Sequence, residues 1–306
     1  KPITKCPKCG QDTMKKELKR KYPKLDLQAE ICSIADYEKC RILFDRYRPE
    51  LVFHAAAHKH VPLMEHVPEQ AIKNNVVGTL NLCKLSAEFK VKRFLLISTD
   101  KAVNPTNVMG ASKRCCEMIV KYHAQKFPNT IFCAVRFGNV LGSNGSVIPL
   151  FKKQIAEGGP VTLTDKRIIR YFMTIPEAVS LVLQTGTFSE TGEIFVLDMG
   201  QPVKILDLAE NLIRLSGLEP YKDIDIVFTG LRPGEKLYEE LLISGEGMRK
   251  TSNKKIFICK QIDVDEKAFK DDLTLLIKLA KENKAPEVKE QLHLMIPTYK
   301  QEPRID

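Results

Sequence analysis

A doubly wound α/β fold, with a parallel sheet covered by helices on both faces and a smaller α/β lobe appended, is predicted by three features of this 306-residue sequence. Short apolar runs alternate with helix-length segments of roughly 10–20 residues, which is the pattern of βαβ units. The runs Leu51 to Ala57, Arg93 to Ile97 and Ile131 to Arg136 are nearly continuous in apolar character, as strands buried on both faces must be. From residue 140 onward the elements become shorter and mixed, which suits a separate lobe.

Taken in order, residues 1–13 form a basic lead containing Cys6-Pro7-Lys8-Cys9-Gly10, one half of a zinc knuckle with no second ligand pair at a suitable distance. Met14 to Tyr22 reads as a helix end, Leu25 to Ile31 as a strand, and Tyr37 to Tyr47 as a helix. The strand 51–57 leads to a long helix from Pro68 to Phe89, then the strand 93–97 and a helix from Ala111 to His123. After the strand 131–136 come a helical patch from Ile148 to Glu157, a helix from Pro176 to Thr185 and a strand from Glu193 to Leu197. A helix from Ile205 to Ser216 and a strand from Ile224 to Phe228 complete the pattern. Residues 14–140 with 171–200 are expected to form the sheet core, and 141–170 with 201–306 the smaller lobe.

Composition narrows the partners. The net charge is +10, but the lysines of 14–24 and 265–290 are interleaved with Glu and Asp, as on solvated helix faces, so no nucleic acid partner is expected. No window approaches the ~18 apolar residues of a membrane span, and the N-terminal stretch lacks a signal peptide's apolar core. Nine cysteines scattered mostly in apolar contexts read as buried thiols of a reducing cytoplasm. His54, His58 and His60 are spaced i, i+4, i+6 across a strand-to-loop turn, which is not a metal-ligand pattern, so no metal is expected.

The stretch from Ser98 to Lys113 is the chemical centre. It opens at the carboxyl end of a buried strand, where open α/β sheets place their ligands. A hydroxyl, a carboxylate and an amine (Thr99, Asp100, Lys101) stand in a row there, and Met109 and Lys113, four apart, share a helix face.

The run Thr99-Asp100-Lys101 followed by Asn104-Pro105-Thr106-Asn107-Val108-Met109-Gly110-Ala111-Ser112-Lys113 resembles the nucleotide-sugar 4,6-dehydratases of the polysaccharide-biosynthesis (CapD-type) branch. These are extended short-chain dehydrogenases/reductases with a Rossmann-like core, and Met109 stands where their signature Tyr-x-x-x-Lys has its Tyr. The resemblance runs through His54-Ala55-Ala56-Ala57-His58-Lys59-His60-Val61-Pro62, Asn74 to Thr79, Arg136 to Ser143, Arg170 to Pro176 and Leu231-Arg232-Pro233-Gly234-Glu235-Lys236, and covers roughly residues 14 to 297. A dinucleotide-binding sheet begins with a strand, a Gly-x-x-Gly-x-x-Gly turn and a helix that holds the pyrophosphate. That unit is absent here, so the chain reads as lacking its first strands. A truncated or mis-started sequence from a complete enzyme is the expectation, and a remnant that no longer binds nucleotide is the rival.

The resemblance implies a UDP-N-acetylglucosamine 4,6-dehydratase using NAD or NADP, retaining C5 configuration, for glycan or capsule precursors; a C5-inverting enzyme is the alternative. It implies Lys101 as base for the C5 proton, its amine depressed by burial or by Lys113, and Asp100 as acid for the C6 oxygen. An ion pair between Asp100 and Lys101 with a merely structural role is the competing account. Thr99 would bond the C4 oxygen, Met109 marks the retaining branch, and Lys113 would bind the nicotinamide ribose. Ser33 and Ile34 would border the adenine, Ala55, Ala56 and Ala57 would let the backbone lie close to the cofactor, and Asn75 would bond backbone within the sheet. Lys59 could reach the nicotinamide amide or the sugar; Asn139, Arg170 and Arg232 are diphosphate candidates, and Glu235 a ribose partner. A homo-oligomer is expected, and membrane contact only through a region ahead of this stretch.

Overall fold

The computed structural model describes residues 14–143, 145–241, 247–259 and 264–300, which fall into two units divided after Ser33. The Cys6/Cys9 pair lies outside the described residues. In the first unit, the helix Met14–Lys21 is followed by chain without regular structure. The strand expected over Leu25 to Ile31 does not form. A strand exists by pairing its backbone, and this segment has no ladder partner among the described residues; Leu25 is half-exposed and Ile31 fully so.

The second unit is built on a six-stranded sheet. Its order is Leu51–His54, Arg93–Ile97, Ile131–Arg136, Ile194–Leu197, Ile256–Cys259 and Met248–Lys250. The first four strands are parallel, as the buried apolar runs predict, with Leu96 level with His54 on one side and Ala134 on the other. The last two are antiparallel, and they correct the expected boundary: residues assigned to the smaller lobe extend the main sheet. The helices Glu266–Lys281 and Ala285–Met295 likewise pack on the helix 108–126 and the 68–76 segment that flank that sheet. No sequence period announces such long-range pairing. The core on one side joins Leu95, Cys133, Val135, Leu181, Phe195 and Leu197.

The smaller lobe packs Val147–Ala156 and Ile205–Leu215 on the paired strands Val161–Leu163 and Ile226–Phe228. Phe151, Ile155, Val161, Leu163, Ala209 and Ile213 close its core. Among the described residues no helix is long and apolar enough to cross a membrane.

Two departures from regular helix position the site. The long helix expected from Pro68 is interrupted by a π-helical turn, Ile72–Val76, before it continues as Val77–Glu88. Asn75 sits in that turn, and its side chain leaves the helix to bond the backbone of His58 at 2.7 and 3.1 Å and Ser112 Oγ at 3.0 Å. The helix carrying Met109 and Lys113 begins earlier than expected, at Val108 and running to Lys126, because Asn107 caps it by accepting from Gly110 N at 2.8 Å.

Beneath the site, Glu117 of that helix is held by four donors. Arg136 reaches its two oxygens from Nε and Nη2, both at 2.8 Å, while Arg114 donates at 2.9 Å and Ser98 Oγ at 2.7 Å. Burial alone would raise this carboxyl, but Arg136, Arg114 and Ser98 outweigh it and hold it near 2. Removing one member of such a pair strands a buried charge. Glu117→Ala is therefore expected to cost about 3–5 kcal/mol in urea unfolding. Because the carboxyl sits below its ordinary 4.5, its contribution is complete above pH 4.5 and is lost as the pH falls toward 2. The parent's urea midpoint should fall across that acid window, and the fall should be blunted in Glu117→Gln; equal acid sensitivity in the two proteins would contradict the assignment.

Candidate active site

The carboxyl ends of the strands 93–97 and 131–136 open into a cleft of about 540 Å³ that the smaller lobe closes from the other side. Ser98, Thr99 and Lys101 form its floor, with Met109 and Lys113 on one wall and Arg170, Arg232 and Glu235 on the far side. Ala55, Ala57, Lys59 and Asn139 border it as well.

The floor is pinned by backbone. Ser98 N donates to Val135 O at 2.7 Å and Asp100 N to Phe137 O at 3.1 Å, so the reactive triplet continues the sheet ladder. Asp100 then enters a single 3-10 turn, Asp100–Ala102, capped by Thr99. Its side chain is 1 % exposed. Oδ1 accepts from Thr99 Oγ1 at 2.8 Å and from Lys101 Nζ at 3.0 Å, whereas Oδ2 is buried with no partner among the described residues. Lys101 Nζ also reaches Asn139 Oδ1 at 3.3 Å and Glu239 Oε1 at 3.5 Å.

This geometry corrects the expectation for Lys101. Burial pulls the amine down, but Asp100 and then Glu239 overcome it against a lesser opposing push from Arg170, and the amine is raised above its ordinary value. Arg170, not Lys113, is the nearby cation that acts on it.

Lys113 is depressed instead. It is 5 % exposed, burial drives the amine down, and Cys116 and Glu117 oppose that drive. Its Nζ makes no hydrogen bond among the described residues, so a buried amine without a bonded partner faces the cleft. His54, at the end of the strand 51–54, bonds Thr79 Oγ1 at 2.8 Å; burial and then Lys113 hold it near 3, as neutral imidazole.

Several expected residues stand elsewhere. Asn75 does not border the cleft; it bonds the 58 loop rather than the sheet, and its side chain ties that loop to the helix 108–126. Ala56 lies between Ala55 and Ala57 but outside the cleft wall. Ile34 is also outside it, packed where a Cβ on Gly78 would collide with it, and Ser33 is an exposed residue of the first unit.

Arg170 reaches the wall, yet its Nη1 donates to Ile169 O and Leu237 O at 2.8 and 3.1 Å and its Nη2 to Lys236 O at 2.7 Å. Those bonds fasten the 236–239 segment. Arg232 is the more exposed cation, presented by a turn in which Glu235 N donates to Arg232 O at 3.0 Å and Gly234 takes φ +76°. Glu235 accepts from Thr164 Oγ1 at 3.1 Å and from Arg232 N at 3.2 Å.

Sequence reasoning missed Glu239 because it follows the recognisable Arg-Pro-Gly-Glu turn without a motif of its own. It also missed the fastening of that turn to the reactive loop. Thr106 Oγ1 and Asn107 Nδ2 both donate to Gly234 O, at 2.9 and 3.0 Å, and Lys236 Nζ donates to Val103 O at 3.1 Å. A Cβ at Gly234 would lie 2.6 Å from Asn107 Cβ. Among the described residues no group of three or more His, Cys, Asp or Glu is placed to hold a metal.

The sequence model of a family described as polysaccharide biosynthesis protein matches residues 5–261. The probable polysaccharide biosynthesis protein EpsC of Bacillus subtilis is 56 % identical over 236 residues, 77 % of this chain and 39 % of that one. The capsular polysaccharide biosynthesis protein CapD of Staphylococcus aureus is 61 % identical over 216 residues, 70 % of this chain and 36 % of that one. The chain thus spans well under half the length of these two relatives. Among solved structures, Pen from Bacillus thuringiensis superposes with a TM-score of 0.72 at 34 % identity, covering 80 % of this chain and 75 % of that one. A Thermus thermophilus UDP-glucose 4-epimerase, solved as a complex with NAD, shares the fold at TM-score 0.62 and 20 % identity, covering 69 % and 74 %.

The floor and the Met109/Lys113 wall meet at Gly110, where any Cβ would collide with the carbonyl of Lys101. Gly110→Ala is expected to destabilise the protein by about 1–3 kcal/mol by forcing the two apart. A urea midpoint indistinguishable from the parent would show that the contact can relax freely.

Proposed function

The chain belongs to the polysaccharide biosynthesis protein family, and from that premise we propose that its cleft serves an NAD(P)-dependent 4,6-dehydration of UDP-N-acetylglucosamine. Configuration at C5 is retained, and the product feeds glycan or capsular polysaccharide synthesis. The observation that carries the reading is the Asp100–Lys101 pair, 3.0 Å apart at the end of a buried parallel strand, with Lys101 on the floor of a cleft walled by Met109 and Lys113.

The cofactor's nicotinamide ribose would be held by Lys113, whose buried amine lacks a bonded partner and suits a pair of sugar hydroxyls, with Ala55 and Ala57 leaving room for close approach. The residues of this chain suit that end of the molecule; its pyrophosphate cradle, a glycine-rich turn, is not among the 306 residues. NAD or NADP, when bound, supplies removal of hydride from C4 and its return at C6.

The protein's own share is proton traffic. The raised Lys101 rests as an ammonium, so the base must be made in place. Passing its proton along the 3.0 Å bond to Asp100 Oδ1 yields a neutral amine and a carboxylic acid in one step, with no change in net charge. The amine then takes the C5 proton, acidified by the C4 ketone, and Asp100 gives its proton to the departing C6 hydroxyl, which leaves as water. As hydride arrives at C6 the Lys101 ammonium gives a proton back to C5, and the proton that the C4 hydroxyl sheds to water on oxidation is matched by the one that Lys101 then takes up from water. Both groups return to their starting charges. Thr99, already bonded to Asp100, lies on the cleft floor beside the C4 oxygen in this arrangement. Met109 can neither take nor give a proton, which removes the usual second base and suits the retaining reaction. On the far side Arg232 takes the diphosphate with Asn139, Arg170 completes the pocket wall, and Glu235 bonds a ribose hydroxyl.

Incubating the protein with UDP-N-acetylglucosamine and NAD in deuterated water is expected to yield a 4-keto-6-deoxy sugar with solvent deuterium at C5. Failure to bind NAD(P), together with no new sugar, sinks the reading and favours a protein that binds nucleotide without turning it over. Lys101→Ala should abolish C5 exchange while UDP binding persists; unchanged turnover removes Lys101 from its role. Arg232→Ala should weaken UDP by about 1.5–3 kcal/mol in calorimetric titration. An affinity equal to the parent's makes Arg232 a surface residue.

A further inference from the structure

Glu239 is a buried charge without an assigned purpose. Its side chain is 4 % exposed and does not border the cleft. Oε1 stands 3.5 Å from Lys101 Nζ and 3.7 Å from Arg170 Nε, and Oε2 is buried with no partner among the described residues. A buried carboxylate with one bare oxygen is a poor device for stability, because desolvation opposes it and a hydrogen-bonded amide would serve packing as well. The backbone beneath it is nevertheless held firmly. Ile169 N donates to Leu237 O at 3.1 Å, Arg170 grips the carbonyls of Lys236 and Leu237, and Lys236 is tied to Val103 O.

We propose that Glu239 is a positioning residue for Lys101: from behind the amine it keeps the side chain charged and aimed into the cleft, and it sets the pH at which the amine can be released. The inference rests on the reading of Lys101 as the proton carrier. The charged groups around the amine are Asp100 at 3.0 Å, Glu239 at 3.5 Å and Arg170, with the Asn139 carbonyl oxygen at 3.3 Å. Arg170 in turn lies 3.8 Å from Glu235. Charges therefore alternate through successive contacts, Asp100, Lys101, Glu239, Arg170, Glu235, from beneath the floor of the cleft to its far side. Glu239 does not border the cleft, and of its two cation partners, Lys101 and Arg170, only Lys101 exchanges a proton, so its influence on the proton step passes through Lys101. Each carboxylate favours the ammonium. Asp100 is the one that receives the proton, and Glu239 is the second carboxylate, which stays behind the amine and holds the proton on it.

The test is a titration of Lys101 in the full chain, read by NMR of lysine labelled with carbon-13 at Cε, the resonance being identified by its loss in Lys101→Ala. In Glu239→Gln the midpoint should fall by about one pH unit or more relative to the parent, with UDP affinity unchanged. In Glu239→Asp, where the charge is kept but withdrawn by one methylene, the shift should be smaller and of the same sign; this variant decides the matter if the amide variant does not fold. A Lys101 midpoint equal in the parent and the folded variants overturns the proposal. The measurement needs neither cofactor nor turnover. An unmoved midpoint thus leaves the dehydratase reading standing, and a moved midpoint in a protein that never exchanges the C5 proton keeps Glu239's role while removing that reading.

Discussion

The buried carboxylate of Glu117, held by Arg136, Arg114 and Ser98, is the constraint on which the geometry of the cleft rests. Arg136 closes the strand 131–136 and is fully buried, Ser98 follows the strand 93–97, and Glu117 lies two turns into the helix that carries Met109 and Lys113. Three of the four donors, two from Arg136 and one from Ser98, therefore fix the helix to two neighbouring strand ends, while Arg114 braces the carboxylate from within the helix. Helix and strands could otherwise slide on an apolar interface, since packing of that kind is non-directional. A fork of charge-assisted hydrogen bonds has direction, and it leaves the helix one position relative to the floor. The cost of burying the ions is high, which is why a set this complete is needed to hold them.

A second layer of constraint links the reactive loop to the far wall. The carbonyl of Gly234 receives Thr106 and Asn107, while Asn107 also caps the helix. One residue thereby sets both the start of the helix and the seat of the Arg232 turn. Glycine is required at both closest approaches for steric reasons: a Cβ at Gly110 meets the Lys101 carbonyl, and one at Gly234 meets Asn107.

The alternating charges between Asp100 and Glu235 make the amine of Lys101 behave unlike the amine of Lys113. Both are buried, and burial acts on both in the same direction. Lys101 has two carboxylates close by and rises; Lys113 has beside it one thiol, Cys116, and a carboxylate already committed to arginines, and falls. Which of two lysines in a cleft can be charged, and when, is decided by partners at 3 to 4 Å and not by depth alone.

Local chemistry made much of this legible from the residues. Apolar runs of strand length, the polar break at Ser98 and the Pro233-Gly234 turn each express a preference that acts within a few positions, so the parallel strands, the reactive triplet and the Arg232 turn could be read in advance. The strand read at 25–31 failed for the converse reason, because apolar alternation supplies a strand's side chains but not its ladder. The antiparallel strands 248–250 and 256–259, the π turn at Asn75, the carbonyl-bound Arg170 and the carboxylate of Glu239 behind Lys101 were beyond the sequence. Each depends on which distant segments come within hydrogen-bond range, a matter of tertiary packing. By itself the sequence determined the fold class and the kinds of groups that line the cleft; only the folded chain decided their charge states, since those follow from distances between residues as far apart as 101 and 239.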